Sequence, residues 1–157
     1  MKRKNKWPKR IFLIVLTVIA SFTTMLLAYV AGYEKDLMVY QESLAKLPEV
    51  NSVLEIAKYN GTEQYYVAKV KLINETEHYY FIKDNVVEYN VETKNILSTD
   101  VIVNNVMNQI QGDIKHYYLG IHEEKPIYEV VVSTQNQEVY VLVDAMSGEL
   151  VATYELK

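Results

Sequence analysis

The 157-residue sequence contains no cysteine and has only five glycines and three histidines. Without cysteine the chain can form no disulfide bond and offers no thiolate as a nucleophile or metal ligand. Its few glycines are not clustered, which excludes a glycine-rich phosphate-binding loop. No acidic residue precedes Glu34, so all charges in the first part of the chain are positive.

The N-terminal segment is basic at first and then apolar. Six lysines and arginines precede residue 11, and residues 11–33 carry no charge. At about 1.5 Å per residue, a helix over residues 11–31 spans roughly 31 Å, close to the hydrocarbon thickness of a bilayer. Because cations flank only one end, the sequence predicts a single-pass anchor at 11–32, with a cytoplasmic tail at 1–10 and an extracellular C-terminal region.

A cleaved signal peptide is the alternative interpretation of this segment. Signal peptides usually have an apolar region of about 7–15 residues that ends in a small-x-small cleavage site. Here the apolar run is longer, and Ala28, Ala31 and Gly32 form no Ala-x-Ala pattern. The pattern therefore favours an anchor that is retained in the cell membrane.

The net charge of the chain changes from positive to negative after Gly32. Ten basic residues follow Gly32 against all 20 acidic ones, so this part has a net charge of about −10. Such a charge disfavours nucleic acids and anionic polymers as partners, because both require a basic surface. It tolerates a cationic protein partner. An exported part without cysteine is typical of a Gram-positive exterior, since small eukaryotic secreted domains usually contain disulfides.

Two stretches, residues 34–47 and 100–111, have apolar residues at helical spacing. A proline ends the first, because proline disfavours the helical state of the residue before it. In the second, Ser98 or Thr99 can cap the start, and Gly112 can end the helix.

Alternating apolar and polar residues predict four strands after each helix, each with one buried face. Alternation places Val87 and Tyr89 on one face of the fourth strand, and Leu150 and Ala152 on one face of the last. The predicted strands are 54–59, 64–73, 78–83 and 86–91 in the first set, and 114–121, 127–133, 139–144 and 150–156 in the second.

The order of helix and strands therefore occurs twice. The sequence predicts an α+β fold, in which the transmembrane helix precedes two tandem modules at 33–95 and 96–157. Each module is a helix packed on an antiparallel sheet, and each is small enough to depend on its neighbour for stability.

Candidate catalytic groups are sparse. His78, His116 and His122 do not have the spacing of zinc ligands on a helix, and surface positions on strands explain them better. Carboxylates are plentiful but scattered, so nothing favours a hydrolase with paired carboxylates, although pairing is spatial and leaves that alternative open. We expect a protein that is not an enzyme and has no cofactor.

The segment from Asp144 to Gly148 has two interpretations. A calcium loop would need oxygen ligands at alternate positions, which this segment lacks. A turn explains it better, because Asp144 can accept backbone hydrogen bonds and Gly148 can adopt a positive φ. We therefore predict a structural role for both residues.

Tyrosine is abundant, with 14 residues in the chain. Neighbours on a strand point to opposite faces, so one tyrosine of each doublet should lie in the core and the other outside. Outward tyrosines suit protein interfaces, which makes Tyr65 and Tyr117 candidate protein-binding residues. Ordinary strand propensity is the alternative explanation. The three doublets are Tyr65-Tyr66, Tyr79-Tyr80 and Tyr117-Tyr118.

Residues 128–155 resemble the end of a PepSY module, a hairpin that closes with the pattern V-D-a-x-[ST]-G-x-[LIV]. The whole chain resembles the YpmB family, also called TseB-like cell-wall elongation regulators. That resemblance rests on the basic N-terminus, the single anchor, the YNG-x(3)-YYV motif at 59–67 and the PepSY-like end. The residues that fit the hairpin pattern are Tyr128, Tyr140, Val143, Asp144, Ala145, Ser147 and Gly148.

The resemblance implies two cystatin-like modules outside a Gram-positive membrane. It also implies binding to a membrane-anchored penicillin-binding protein and an influence on peptidoglycan synthesis, with no catalytic residues. The alternative is a PepSY-type peptidase inhibitor or a chaperone-like module that binds an extended peptide by strand addition.

Overall fold

The structure of the protein, a computed structural model, describes residues 7–61 and 63–156. A long helix, α1 (Trp7–Leu44), comes first. The chain divides into two compact units, with the boundary between Val39 and Tyr40. Residues 1–6 of the predicted cytoplasmic tail lie outside the described residues.

The first unit contains α1 as far as Val39. Large apolar side chains project from every side of this helix and are exposed, among them Phe12 at 66% and Met25 at 74%. The hydroxyl groups of Thr17, Thr23 and Thr24 each donate a hydrogen bond of 2.9 Å to the carbonyl four residues earlier. A helix that is apolar all round, with its polar groups bonded internally, is suited to lipid and not to water.

One helix among the described residues is long and apolar enough to cross a membrane, the segment Ile11–Leu44 of α1. Its length and composition qualify it as a membrane anchor or as a signal segment.

The second unit begins with the end of α1 and continues into an antiparallel sheet of four strands in chain order. The strands are β1 (Val50–Asn60), β2 (Gln64–Leu72), β3 (Glu77–Lys83) and β4 (Val86–Glu92). A single 3-10 turn, Thr93–Asn95, follows β4.

A second helix and a second sheet follow. Helix α2 (Thr99–Met107) precedes an antiparallel sheet, which again runs in chain order. Its strands are β5 (Asp113–His122), β6 (Lys125–Ser133), β7 (Glu138–Asp144) and β8 (Leu150–Leu156). The predicted α+β architecture with two antiparallel sheets is confirmed.

One face of the second sheet packs against α2. Ile102 and Val106 of the helix are fully buried, because their spacing of four residues places both on the side that faces the sheet. The strand residues in this core, called the helix-side core below, are Tyr128, Val130, Val132, Val139, Val141, Val143 and Ala145.

The end of α2 differs from the prediction. The helix stops at Met107, where the amide of Asn108 bonds to the carbonyls of Asn104 and Val106, and not near residue 111. Gly112 therefore does not end it. Instead a Cβ at Gly112 would lie only 2.5 Å from the carbonyl oxygen of Ser133, so this glycine allows close approach to β6. Ser98 occupies the N-cap position without a side-chain hydrogen bond.

The other face of the second sheet packs against the first sheet. This shared core joins both modules, in accordance with the expectation that each depends on its neighbour. Its buried residues are Tyr59, Tyr65, Val67, Phe81 and Val91 from the first sheet, with Ile127 and Leu142 from the second.

Strand β2 is buried on both faces, although alternation predicted one buried face. On the side away from the shared core, the ring of Tyr40 at the end of α1 stacks on Tyr66 with centroids 3.8 Å apart. Leu44, Ala68 and Val70 are buried as well. The pattern was misleading because Lys69 and Lys71 interrupt a strand that is otherwise covered on both sides.

Two β-bulges also overturn predicted faces. Phe81 and Ile82 pair with Tyr89 and Val87, so Glu88 is unpaired and Val87 lies on the opposite face from Tyr89. The last strand, β8, has the same kind of irregularity.

On β8, Leu150 pairs with Val143 and Ala152 pairs with Leu142, which leaves Val151 unpaired. Leu150 consequently packs on the helix-side core, whereas Ala152 packs on the shared core. The prediction that Leu150 and Ala152 share a face is wrong, because alternation holds only in a strand without an inserted residue.

Candidate functional site

The two tyrosines proposed from the sequence as contact residues lie in different environments. Tyr65 is only 8% exposed and belongs to the shared core, and its neighbour Tyr66 is also buried. The expectation of one outward tyrosine is therefore wrong for this doublet, because β2 is covered on both sides. Tyr65 is not accessible as a contact residue.

Tyr117 and Tyr118 depart from the expectation in the opposite way. Both are exposed, at 47% and 46%, because β5 is an edge strand of its sheet. They point to opposite faces, with Tyr117 on the side of α2. The ring of Tyr118 lies beside His116 on the other side, with centroids 5.1 Å apart. The assignment of Tyr117 as a protein-binding residue stays a prediction.

An open cleft of about 340 Å³ lies where the end of β1 meets the second sheet. We call it the tyrosine cleft, because three tyrosine rings surround one carboxylate there. Tyr140 and Tyr154 are direct cross-strand partners, so both rings stand on the same face. The residues that define the cleft are Tyr59, His122, Glu129, Tyr140, Leu142 and Tyr154.

Tyr59 forms one wall of the cleft and connects the two sheets. Its hydroxyl donates a hydrogen bond of 3.2 Å to Oε2 of Glu129. Its ring lies against Gly120 so closely that a Cβ there would overlap it. Burial, with the Glu129 charge and hydrogen bond adding to it, raises the pKa of Tyr59 above its ordinary value. Tyr59 therefore keeps its proton at neutral pH and acts as a donor.

A second cleft adjoins the first at His122, and we call it the acidic cleft. It has a volume of about 540 Å³. Four carboxylates and one lysine line it, so its charge is strongly negative. The charged residues are Glu63, Lys83, Glu88, Glu123 and Glu124.

The buried Tyr65 contacts two of these carboxylates, those of Glu63 and Glu88, through its hydroxyl group. Its hydroxyl lies 2.8 Å from Oε2 of Glu88 and 3.2 Å from Oε2 of Glu63. Lys83 bonds to the same oxygen of Glu63 at 2.8 Å, and this contact lowers the pKa of that exposed carboxyl. Burial first, and then Glu88, raise the pKa of Tyr65, so this phenol is also a donor.

The bulge on β4 explains the position of Glu88, because an unpaired residue can turn its side chain toward a neighbouring element. Glu123 and Glu124 reach the same cleft from the β5–β6 turn, where both have a positive φ. Such a turn suits the twist of a two-residue hairpin.

The predicted turn residues lie between β7 and β8. Oδ1 of Asp144 accepts the amides of Met146 and Ser147 at 2.9 and 2.8 Å. Burial raises the pKa of Asp144, but these amides, the Ser147 hydroxyl and Lys125 outweigh it and lower the pKa below its ordinary value. Gly148 has a φ of 77°.

The three histidines lie on β3 and β5 and do not come together in one site. Within the described part of the chain, no group of three histidine or carboxylate side chains could hold a metal ion. The raised pKa values of Tyr59 and Tyr65 keep both phenols protonated at neutral pH. The arrangement can therefore bind a ligand through carboxylates and aromatic rings.

Sequence reasoning did not find Tyr59, Glu129 or Tyr154. Tyr59 was noted only within the YNG motif, and Glu129 is one of many scattered carboxylates. The face of Tyr154 depends on the unpaired Val151, which alternation cannot reveal. A search for single tyrosines beside predicted hairpin turns would have included Tyr59.

Residues 96–154 match the family model of the PepSY domain, described as the peptidase propeptide and YPEB domain. The tyrosine cleft takes Glu129, Tyr140 and Tyr154 from this domain and Tyr59 from the preceding sheet. No curated protein sequence matches the chain significantly.

The solved structure of the YpmB protein from Bacillus subtilis is similar in fold. It has 20% sequence identity and a TM-score of 0.65, and the match covers 73% of this chain and 96% of that one. A protein described as a lipoprotein of Clostridium difficile 630 is more distant, with 10% identity, a TM-score of 0.44 and coverage of 79% and 92%.

Proposed function

We propose that this YpmB-like chain, with its C-terminal PepSY domain, is a non-enzymatic, membrane-anchored regulator or scaffold of cell-wall synthesis. It acts by protein–protein binding outside the cytoplasm, and its partner is a penicillin-binding protein. The likeness to the PepSY family and to the YpmB fold supports an extracytoplasmic binding module. The role in peptidoglycan synthesis and the identity of the partner are our proposal.

The tyrosine cleft is the observation that carries the binding role. It presents the rings of Tyr140 and Tyr154 beside the Glu129 carboxylate, which are groups that suit recognition, and the Tyr59 phenol donates to that carboxylate.

The anchor and the charge distribution support the location. The apolar segment of α1 is long enough to span a bilayer, and the basic residues precede it. This arrangement favours a cytoplasmic N-terminus and an acidic region outside. Confinement to the membrane plane raises the effective concentration of the acidic region toward other anchored proteins.

In-cell photo-crosslinking tests the proposal. A benzophenone amino acid replaces Tyr154 in the full chain, and a matched variant carries it at Val86, which is 60% exposed on the other sheet. We expect the Tyr154 variant to capture a penicillin-binding protein, identified by mass spectrometry, more strongly than the Val86 variant. Capture of only unrelated proteins from Tyr154 would contradict the proposal.

A peptidase inhibitor or chaperone-like module is the second candidate. The PepSY description as a peptidase propeptide domain favours it, and so does β5, an edge strand with exposed residues that could pair with an extended peptide. The purified full chain in detergent micelles should then slow a co-resident protease. The substitution Lys115→Pro, at a residue of β5 that is unpaired within the sheet, tests strand addition and should weaken the inhibition. If the wild-type chain leaves the protease rate unchanged, this function is excluded.

A further inference from the structure

Glu129 is a carboxylate without a cation partner in a sheltered position. It lies on the inner strand β6 and is half-buried, with Tyr59 as the donor to one of its oxygens. In the described part of the chain, the four ion pairs form elsewhere, and none includes Glu129. A carboxylate removed from water in this way is stabilised by a cation that comes close to it.

The rings beside Glu129 favour the same kind of ligand. Tyr140 and Tyr154 stand on the same face as Glu129, and Tyr59 closes the cleft from the other sheet. Ammonium and guanidinium groups are attracted to the faces of aromatic rings, and this attraction increases when water is partly excluded. Leu142 supplies an apolar surface for the methylene groups of a long side chain.

The acidic cleft continues the site beyond His122. Of its four carboxylates, only Glu63 is paired with Lys83. Two negative sites that share one wall suit an extended chain with more than one cation, because a small single cation would fill only one of them. The volumes of about 340 and 540 Å³ are in the range for bound side chains and small ligands.

We infer that the tyrosine cleft binds a lysine or arginine side chain of an extended protein segment, and that the acidic cleft binds a second cation of the same segment. This inference deepens the proposed function, and it depends on the protein being a binding module. The occupant follows from charge complementarity, because both clefts offer carboxylates to the ligand and the tyrosine cleft adds aromatic rings.

The test uses the full chain in detergent micelles with tyrosine labelled for NMR. The probe is the blocked peptide acetyl-Ala-Lys-Ala-Lys-Ala-amide, and the comparison peptide carries acetylated lysines. We expect the lysine peptide to shift the signals of Tyr140 and Tyr154 in a saturable manner. We expect the acetylated peptide to cause no shift, since it has no cation.

Two substitutions locate the contact. Glu129→Gln keeps an acceptor for Tyr59 and removes the charge, so binding should weaken about tenfold or more. Tyr154→Leu removes an exposed ring without opening the core, so binding should weaken several-fold. Near-UV circular dichroism confirms that each variant is folded.

Glu155→Gln is the matched control, since Glu155 lies on the same strand as Tyr154 and on the opposite face. It loses the same charge and should bind the peptide like the wild type. Equal binding by Glu129→Gln, equal weakening in Glu155→Gln, or equal binding of acetylated peptide would each overturn the inference. Free lysine amide binding as tightly as the peptide would also overturn it, because the site would then accept a small amine and no extended segment.

The titration does not depend on the identity of the partner. Failure of the peptide to bind overturns the assignment of the clefts alone. Failure to crosslink a penicillin-binding protein overturns the proposed function alone.

Discussion

The phenol of Tyr59 donates a hydrogen bond to Glu129, at an Oη–Oε2 distance of 3.2 Å, and so links the C-terminal end of β1 to an inner strand of the second sheet. The two residues lie 70 positions apart. One contact therefore stabilises the packing of the two modules and orients the carboxylate of the tyrosine cleft.

Tyr59→Phe removes this hydrogen bond and leaves the ring in place. We expect the free energy of unfolding to fall by about 1.5 kcal/mol, since hydrogen bonds to charged groups contribute about 1.5–3 kcal/mol and this one is only partly buried. Chemical denaturation of the full chain in micelles measures the change. Tyr154→Phe, at a half-exposed ring, is the control and should change stability by less than about 0.5 kcal/mol.

Gly120→Ala places a methyl group against the ring of Tyr59, which the packing does not allow. We expect a loss of about 1–3 kcal/mol, the usual range for overpacking of a core. Thermal unfolding followed by near-UV circular dichroism provides the measurement. Gly32→Ala meets no atom within 4 Å and should leave the transition where it is. An unchanged melting temperature for Gly120→Ala would contradict the packing described.

The shared core predicts that both sheets unfold together. Phe81→Ala in the first sheet should lower stability by about 3–5 kcal/mol, and Ile127→Ala in the second by about 2–5 kcal/mol. Both should move one common transition, because the two side chains belong to the same buried cluster. Val86→Ala, at an exposed position, is the control. Two separate transitions would mean that the modules fold independently.

Asp144 predicts part of the pH dependence of stability. Its pKa is lower in the folded chain than the ordinary value of 3.8, so the folded state binds its proton more weakly than the unfolded state does. The stabilisation is complete above about pH 5 and is lost as the pH falls through the folded pKa.

Asp144→Asn should remove this part of the acid dependence. Denaturation curves at several pH values between about 2 and 6 compare the variant with the wild type. Asp113→Asn, at an exposed position, carries the same change of charge and is the control. A variant whose stability falls with acid as steeply as that of the wild type would contradict the role of Asp144.

Much of the fold could be predicted from local patterns. The strands follow from alternation and the turn at Gly148 from a residue that tolerates a positive φ, and the structure has them at nearly the predicted positions. The apolar helix could also be predicted from the sequence, because a run of uncharged residues long enough to span a membrane is compatible with few structures other than a helix.

The candidate site could not be predicted in the same way. It forms between β1 and the second sheet, and its position depends on packing between residues that are distant in sequence, such as Tyr59 and Gly120. The exposure of a doublet also depends on the place of its strand. Tyr65 is covered because β2 is internal, whereas Tyr117 is exposed because β5 is an edge strand.

The unpaired Val151 reverses, from that point on, the face to which alternate residues of β8 point. Before it, Leu150 belongs to the register of the helix-side core, and after it, Ala152 and Tyr154 belong to the opposite register. If Val151 were instead paired in a regular ladder, Tyr154 would lie on the same face as Leu150, on the side of α2, and the cleft would lack this ring. The aromatic surface of the cleft thus depends on the bulge at Val151 as much as on the identity of Tyr154.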